Sequence, residues 1–341
     1  MAINAAVVGL GVGEQHALAF ARDPRCQLKW IYDSDAQRSA RVLKNLQCQF
    51  PNGPTTRIAV SYGQILEDQN VDVVSIATYD ECHFEQILSA REANKHVFCE
   101  KPLCQTYDQL QALKASWARS PVRHLASNLV LRAAPLYRWL RKAIQLGELG
   151  RVYAYDGDYL YGRLSKITEG WRKDTPNYAV LEGGGVHLID LMFYLTGERP
   201  VAVSAVGNRI CTASTSFQYN DFVSATYTFE STLVARITAN FGCVHRHQHV
   251  VRVFGTEATF IYDDQGSRLH RSREPSCPAE TIDLAPLAST KGDLISEFVD
   301  RVAEGPPFAE HPLVDFDVLA ACIAGNDAAV SGQSGPIRYA E

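Results

Sequence analysis

Short apolar runs alternate with helix-period segments through the first third of the chain. Residues 5–8 form an apolar run that ends in glycines, and residues 14–21 have the spacing of a helix behind it. Residues 28–32 read as a second strand ending at Asp33, followed by a helix over 36–46. Residues 58–60 are a weak third strand. Residues 71–77 are a strong fourth, whose unbroken apolarity marks it as buried on both faces. A helix over 82–93 and a fifth strand over 96–99 follow. Thr106, with Gln109 three residues on, opens another helix as a capping box, and 122–127 is a sixth strand. This β-α-β-α rhythm predicts an α/β domain built on a doubly wound parallel sheet.

The rhythm changes near residue 128. Pro135 suits the first turn of a helix that runs to Gly147 or Gly150. Alternating runs rich in Val, Thr, Tyr and Phe then cover 152–161, 201–207, 221–229, 233–241, 250–254 and 259–262. Short connections between consecutive strands predict an open, mainly antiparallel sheet. One helix, about 186–195, interrupts it. Residues 268–277 are polar and read as a loop, and helices are expected around 293–304 and 315–329. The expected division is a Rossmann domain over 1–125 and a second α/β domain over 126–341.

Composition narrows the function. The 341 residues carry 33 Lys+Arg against 38 Asp+Glu, a net charge of −5. That balance argues against a nucleic-acid footprint and against a polybasic membrane anchor. No apolar run approaches the roughly 20 residues of a membrane span. The nine cysteines are scattered, odd in number and form no C-x-x-C pair, which reads as reduced thiols. The N-terminus has no positive stretch ahead of its apolar residues, so a cytoplasmic protein is expected.

The turn after the first strand reads V-V-G-L-G-V-G-E-Q-H. Gly9 and Gly11 allow a tight turn and close approach of backbone to a pyrophosphate, which the N–H groups and dipole of the following helix would attract. Asp33, 24 residues beyond Gly9, falls where a carboxylate accepts ribose hydroxyls. It would repel a 2′-phosphate, which favours NAD. Ser34 and Arg38 partly offset that repulsion, so NADP is the alternative. The third glycine, Gly13, stands one position earlier than G-x-G-x-x-G requires, and this leaves open which glycine packs the helix on the strand.

Two further motifs are H-V-F-C-E-K-P-L (96–103) and E-G-G-G-V-H-L-I-D (182–190). With the glycine turn, they resemble the glucose–fructose oxidoreductase/inositol dehydrogenase (Gfo/Idh/MocA) family over nearly the whole chain. The resemblance extends to A-T-Y-D-E-C-H (77–83), W-R (171–172) and K-G-D-L-I-S-E-F (291–298). It implies that Lys101 lies beside the nicotinamide and the substrate hydroxyl, paired with His187 of an H-x-x-D motif whose acid is Asp190. It further implies cofactor contacts from Gly9, Gly11, Val12, Gly13, Asp33, Arg38, Thr78, Tyr79, His83, Glu100, Lys101 and Asn128. Trp171 and Arg172 resemble the family's pocket-edge pair. Two positions depart from the family: Tyr79 stands where many members have proline, and Gly183 where many have aspartate four residues before the histidine.

These residue types suit hydride chemistry. Removing hydride from a carbinol carbon requires a base for the hydroxyl proton. His187 falls at the start of its predicted helix, where the positive dipole end would keep the ring neutral. Leu188, Leu191, Met192 and Leu195 form an apolar stripe, with His187, Asp190 and Tyr194 on the adjoining face. Glycines 183–185 would clear space for a sugar and a nicotinamide. Asp190 orients the imidazole or binds a substrate hydroxyl. The Lys101 ammonium can donate to a developing alkoxide. Glu100 can bond the ribose or the lysine, and Asn128 the carboxamide or the substrate. Tyr159, Tyr161 and Arg163 line a sugar pocket or are sheet-face residues. His245, His247 and His249 share one strand face, but no acid or cysteine cluster completes a metal site.

The reading is an NAD(P)-dependent oxidoreductase acting on a ring carbon of a sugar, an inositol or a nucleotide-sugar. It leans to the last on the tract Y-L-Y-G-R…G-W-R…G-G-G-V-H-L-I-D. No metal, nucleic acid or membrane partner is expected. The resemblance implies a homodimer or homotetramer through the open sheet. The alternatives are an NAD-dependent glycoside hydrolase and a non-catalytic sugar or dinucleotide sensor.

Overall fold

Apolar runs too short for helices, separated by amphipathic segments, give the first domain its layers. A computed structural model describes residues 2–51, 53, 55–119, 122–305 and 311–339, apart from the side chains of 311–313. In order come β1 (Ile3–Val8), α1 (Gly13–Arg22), β2 (Cys26–Tyr32), α2 (Ala36–Gln49), β3 (Arg57–Ile58), α3 (Tyr62–Glu67), β4 (Val73–Ile76), α4 (Asp80–Glu92), β5 (His96–Cys99), α5 (Tyr107–Arg119) and β6 (Leu125–Ser127). The strands form one parallel sheet of order β3-β2-β1-β4-β5-β6. The order reverses between β1 and β4, the switch point at which such sheets bind ligands. Both of these strands are buried along their apolar length. Helix starts are capped as side-chain chemistry requires: Asp35 accepts from the N–H groups of Gln37 and Arg38, and Ser61 from that of Gln64. The Thr106 hydroxyl accepts from Gln109 N–H at 3.3 Å, while the Gln109 side chain reaches back to Gln105 N–H at 2.9 Å. The capping box thus closes one residue early. The short α3 has no signature in the apolar pattern.

The second unit opens with α6 (Pro135–Gln145), Pro135 lying in its first turn. Next come β7 (Val152–Leu160), α7 (Ser165–Thr168), a π-helical turn at Leu181–Gly185 and α8 (Val186–Thr196), which ends at Gly197 with φ +70°. Then follow β8 (Pro200–Asn208), β9 (Phe222–Phe229), β10 (Val234–Asn240), β11 (Gln248–Gly255), β12 (Thr259–Asp263), β13 (Gly266–His270) and β14 (Glu280–Thr281). Nine strands pair in the order β14-β13-β12-β11-β7-β10-β9-β8-β15, where β15 is Gly335–Pro336. Hairpin neighbours are antiparallel, as their short connections require. β7, reached before the crossover through α8, is free of that constraint and pairs in parallel with β10. One sheet face carries the ion pairs Arg236–Asp156 (3.2 Å) and Arg252–Asp158 (2.9 Å), each worth only about 0–1 kcal/mol on a part-exposed surface.

Several expectations change. Residues 268–270 belong to β13 rather than to a loop: Ser267 and Leu269 are buried in alternation with Arg268, and the polar letters hide that period. α8 has no polar face turned to water, since every residue from Val186 to Phe193 is buried. It also continues directly from the π turn, so His187 lies inside a longer helical run and the dipole argument for its neutrality lapses.

By contacts the chain divides into Met1–Val130 with Ala288–Phe316, and Leu131–Leu287 with Asp317–Glu341. The return segment adds α9 (Ile295–Glu304) to the first unit: Phe298 packs on Phe98 with ring centroids 5.4 Å apart, and His124 Nε2 donates to Arg301 O at 2.9 Å. α10 (His311–Ser331) follows, and within it Asp315 accepts from Ser127 N–H at 2.8 Å. Among the described residues no helix is long and apolar enough to cross a membrane.

The π turn explains its own glycines. A Cβ on Gly183 would overlap the Tyr178 hydroxyl, and one on Gly184 the Tyr159 ring. The glycines therefore make room for protein side chains rather than for a ligand. Gly184→Ala is expected to destabilise the second unit by about 1–3 kcal/mol through overpacking. A melting curve identical to that of the parent protein would contradict this.

Candidate active site

The turn after β1 is shaped for close approach. Gly9 has φ +81° and donates to Tyr32 O at 2.8 Å, and a Cβ there would overlap the Ala77 carbonyl. A Cβ on Gly11 would have nothing within 4 Å. A Cβ on Gly13 would crowd Ala77 Cβ (3.1 Å) and Val7 Cγ1 (3.2 Å). Gly13 is thus the glycine that lets α1 pack on β1 and β4, one position earlier than in the longer turn. Val12 precedes α1 with no side-chain cap, so the N–H groups there suit a pyrophosphate.

Asp33 ends β2 with a fixed carboxylate. Its Oδ2 accepts from Leu10 N–H (2.6 Å) and its Oδ1 from Asp35 N–H (2.9 Å), while Arg38 Nη1 lies 3.1 Å from Oδ2. Burial pushes its pKa up, but the Asp35 and Leu10 N–H groups and the Arg38 guanidinium outweigh this and hold it below the usual range. The arrangement fits a dinucleotide whose ribose donates to Asp33. Beyond β4, Thr78 Oγ1 bonds Gln86 Oε1 at 2.6 Å, and Tyr79 is half-exposed. His83 was expected against the cofactor, yet its ring is fully buried between two protein carbonyls: Nδ1 is 2.7 Å from Pro102 O and Nε2 is 3.2 Å from Thr78 O.

After β5 the chain turns through Glu100 and Lys101, with a cis bond to Pro102. Asn128 is buried, and its Nδ2 donates to Glu100 Oε1 (2.7 Å) and Lys291 O (2.7 Å). His16 Nε2 lies 3.2 Å from the same Glu100 oxygen. Burial raises the Glu100 pKa, but His16, the Lys101 ammonium and the Asn128 amide bring it down to about 2. His16 was not among the candidates read from the sequence. The available signal was its place three residues after Gly13, on the helix face that packs against the sheet.

In the second unit, His187 and Asp190 are both buried on α8. Arg132 Nε and Nη2 donate to Asp190 Oδ1 at 2.9 and 2.5 Å, a partner with no sequence signal. Tyr159 pairs with His249 across β7 and β11, and its ring centroid lies 6.4 Å from that of His187, 5.3 Å from His249 and 5.2 Å from His247. His249 is a further group of this cluster, 5.8 Å from His187. His245 turns away to Asp264 at 2.9 Å. Among the described residues no group of three His, Cys, Asp or Glu could hold a metal ion. Arg172 stacks on Trp171 at 4.3 Å, and Arg163 lies 5.6 Å over Tyr161.

A doubly wound sheet with this turn, joined to a large mixed sheet, defines a two-domain dinucleotide-binding oxidoreductase. Residues 3–127 match the profile described as an oxidoreductase family with an NAD-binding Rossmann fold, and residues 137–261 match the GFO/IDH/MocA C-terminal domain. The chain belongs to the Gfo/Idh/MocA oxidoreductase family, and its first domain is an NAD-binding Rossmann domain. It is 27% identical over 327 residues to UDP-N-acetylglucosamine 3-dehydrogenase of Acidithiobacillus ferrooxidans, covering 93% of this chain and 94% of that one. It is 27% identical over 214 residues to levoglucosan dehydrogenase of Pseudarthrobacter phenanthrenivorans, covering 60% of this chain and about half, 53%, of the relative. A levoglucosan dehydrogenase solved with NADH and levoglucosan superposes with a TM-score of 0.83 at 21% identity, covering 99% of this chain and 100% of the other.

Two outcomes are expected. Asp33→Asn should weaken NADH binding roughly 10–100-fold, the worth of charge-assisted bonds, and narrow the gap to NADPH. Fluorescence titration checks this, and unchanged affinities contradict it. Because folding lowers the Glu100 pKa from its ordinary 4.5 to about 2, the ionised group stabilises the fold above pH 4.5 and loses that effect as pH falls towards 2. The stability difference between the parent protein and Glu100→Gln should therefore shrink across that window in denaturant titrations. A pH-independent difference would refute it.

Proposed function

We propose that the protein is an NAD-dependent dehydrogenase of a polyhydroxylated ring, with Lys101 and His187 acting on one alcohol. The observation that carries this reading is the setting of His187: a buried imidazole among Tyr159 and His249, in a chain whose other unit is an NAD-binding domain presenting a lysine after β5. NAD, held by the turn after β1 and by Asp33, would supply the acceptor for the hydride of the carbinol carbon. His187 takes the hydroxyl proton, and Lys101 donates a hydrogen bond to the oxygen as its charge develops. Arg132 holds Asp190 in place on the same helix as His187.

The 3.1 Å contact of Arg38 with Asp33 supports NAD over NADP, because the guanidinium is already engaged by the acid that would repel a 2′-phosphate. A nucleotide-sugar is the favoured substrate class, since a 27% identical relative over 93% of the chain is named for UDP-N-acetylglucosamine. Tyr159, Trp171 and Arg172 supply its pocket. The protein assembles as a homodimer or homotetramer through the sheet face bearing Asp156 and Asp158, and its nine unbridged cysteines suit the cytoplasm.

The test is a panel of sugars, inositols and nucleotide-sugars with NAD and NADP, followed by NADH absorbance. At least one nucleotide-sugar should reduce NAD, and Lys101→Met and His187→Asn should each lower kcat by about 10²–10⁴-fold. Release of p-nitrophenol from a glycoside without net NADH would instead mark a hydrolase. Ligand-dependent NADH binding with no turnover would mark a sensor.

A further inference from the structure

We infer that two buried histidines outside the proposed acid–base pair, His16 and His83, are positioning residues that clamp the Lys101 turn from its two sides. The inference rests on the reading that Lys101 acts in hydride transfer. His16, on α1, is fully buried, with Nε2 3.2 Å from Glu100 Oε1 and Nδ1 2.9 Å from Ser75 Oγ on β4. A carboxylate only accepts, so Nε2 carries the proton. The other ring nitrogen, Nδ1, bonds the Ser75 hydroxyl. Asn128 Nδ2 lies 2.7 Å from the same Glu100 oxygen and 2.7 Å from Lys291 O, which uses both its protons. Its 3.2 Å approach to His16 Nε2 follows from the shared acceptor. With its pKa at about 2, Glu100 remains an anion and a firm acceptor for both donors.

His83, on α4, grips the other side. Both of its ring nitrogens face carbonyl oxygens, those of Pro102 and Thr78. Neither carbonyl can donate, so a neutral ring gives its one proton to the shorter contact, and only the doubly protonated ring serves both. The residues before and after Lys101 are thus each held by a buried imidazole. The order Ser75–His16–Glu100 is that of a hydrolytic triad, but Ser75 is fully buried inside β4, where no substrate reaches it. The remaining use of the network is to hold the turn. α1 begins at the switch-point end of the sheet, so the N–H groups that would meet the pyrophosphate and His16, which holds Glu100, sit on one helix.

The full-length protein is tested with NADH bound, as His16→Leu, His83→Leu and the conservative His16→Gln and His83→Gln. Competitive acetylation with acetic anhydride, followed by peptide mass spectrometry, reads the reactivity of Lys101 against that of Lys44 and Lys114 without requiring turnover. Misplacing a reacting group by about 1 Å costs up to about 100-fold, so the leucine variants should lose roughly 10–100-fold in kcat with KM for NAD within about threefold. Lys101 reactivity should change at least about threefold with the other lysines unmoved, and the glutamine variants should recover most of both. Unchanged Lys101 reactivity in the leucine variants overturns the clamp, as does equal loss in the leucine and glutamine pairs. Where a leucine variant does not fold, the near-isosteric Glu100→Gln must change Lys101 reactivity by about the same factor, and no change overturns the clamp. If Lys101→Met left turnover intact, the proposed catalytic role of Lys101 would fail while the labelling still decided the clamp.

Discussion

A carboxylate withdrawn from water must be matched by donors, or it protonates and the structure around it gives way. Glu100 meets that constraint with donors from His16 on α1 and Asn128 after β6, while Asn128 also reaches Lys291 in the returning segment. One anion thus ties together the helix that follows the glycine turn, the strand beside β5 and a stretch of chain 163 residues downstream of Asn128. Three parts of the first unit that share no local sequence signal are fixed by one electrostatic requirement. Lys101, the next residue along, takes its place from it.

The second unit answers a similar constraint with different means. α8 is buried from Val186 to Phe193, so His187 and Asp190 sit in surroundings that water does not screen. Asp190 is met by Arg132 through two donors of one guanidinium, a geometry lysine could not reproduce. His187 sits against Tyr159 and His249 instead. Packing and polarity are therefore not separated onto two helix faces: the stretch of α8 that carries the proposed base is core from Val186 to Phe193, and Asp190 is held by a partner from outside it.

Local patterns in the sequence carried most of the architecture, and long-range compensation carried what they missed. Strands such as His96–Cys99 and helices such as Pro135–Gln145 are legible because apolar runs, prolines and glycines act over a few residues. The departure of Gly13 from the usual spacing was visible at once, but its consequence was not, because the atoms it accommodates belong to Val7 and Ala77 on two strands. β13 was missed because Ser267 and Arg268 read as polar although the fold buries one of the pair. The glycines of the π turn read as a ligand space because a glycine run records only that side chains are excluded, not by what. Arg132 and the return of residues 288–316 to the first unit left no local trace at all.

The supports of the Lys101 turn described above lie within one unit. Its immediate supports, His16, His83, Glu100 and Asn128, all belong to the NAD-binding unit. Within the nine-stranded sheet Tyr159 is held in place, since Gly184 closes on its ring and His247 and His249 pack at its edge. Under the proposed function, a ligand would come to that ring rather than the ring to the ligand. In that proposal, discrimination among polyhydroxylated rings would fall to less buried groups such as Tyr161, Arg163, Trp171 and Arg172, whose stacked side chains can exchange partners at small cost.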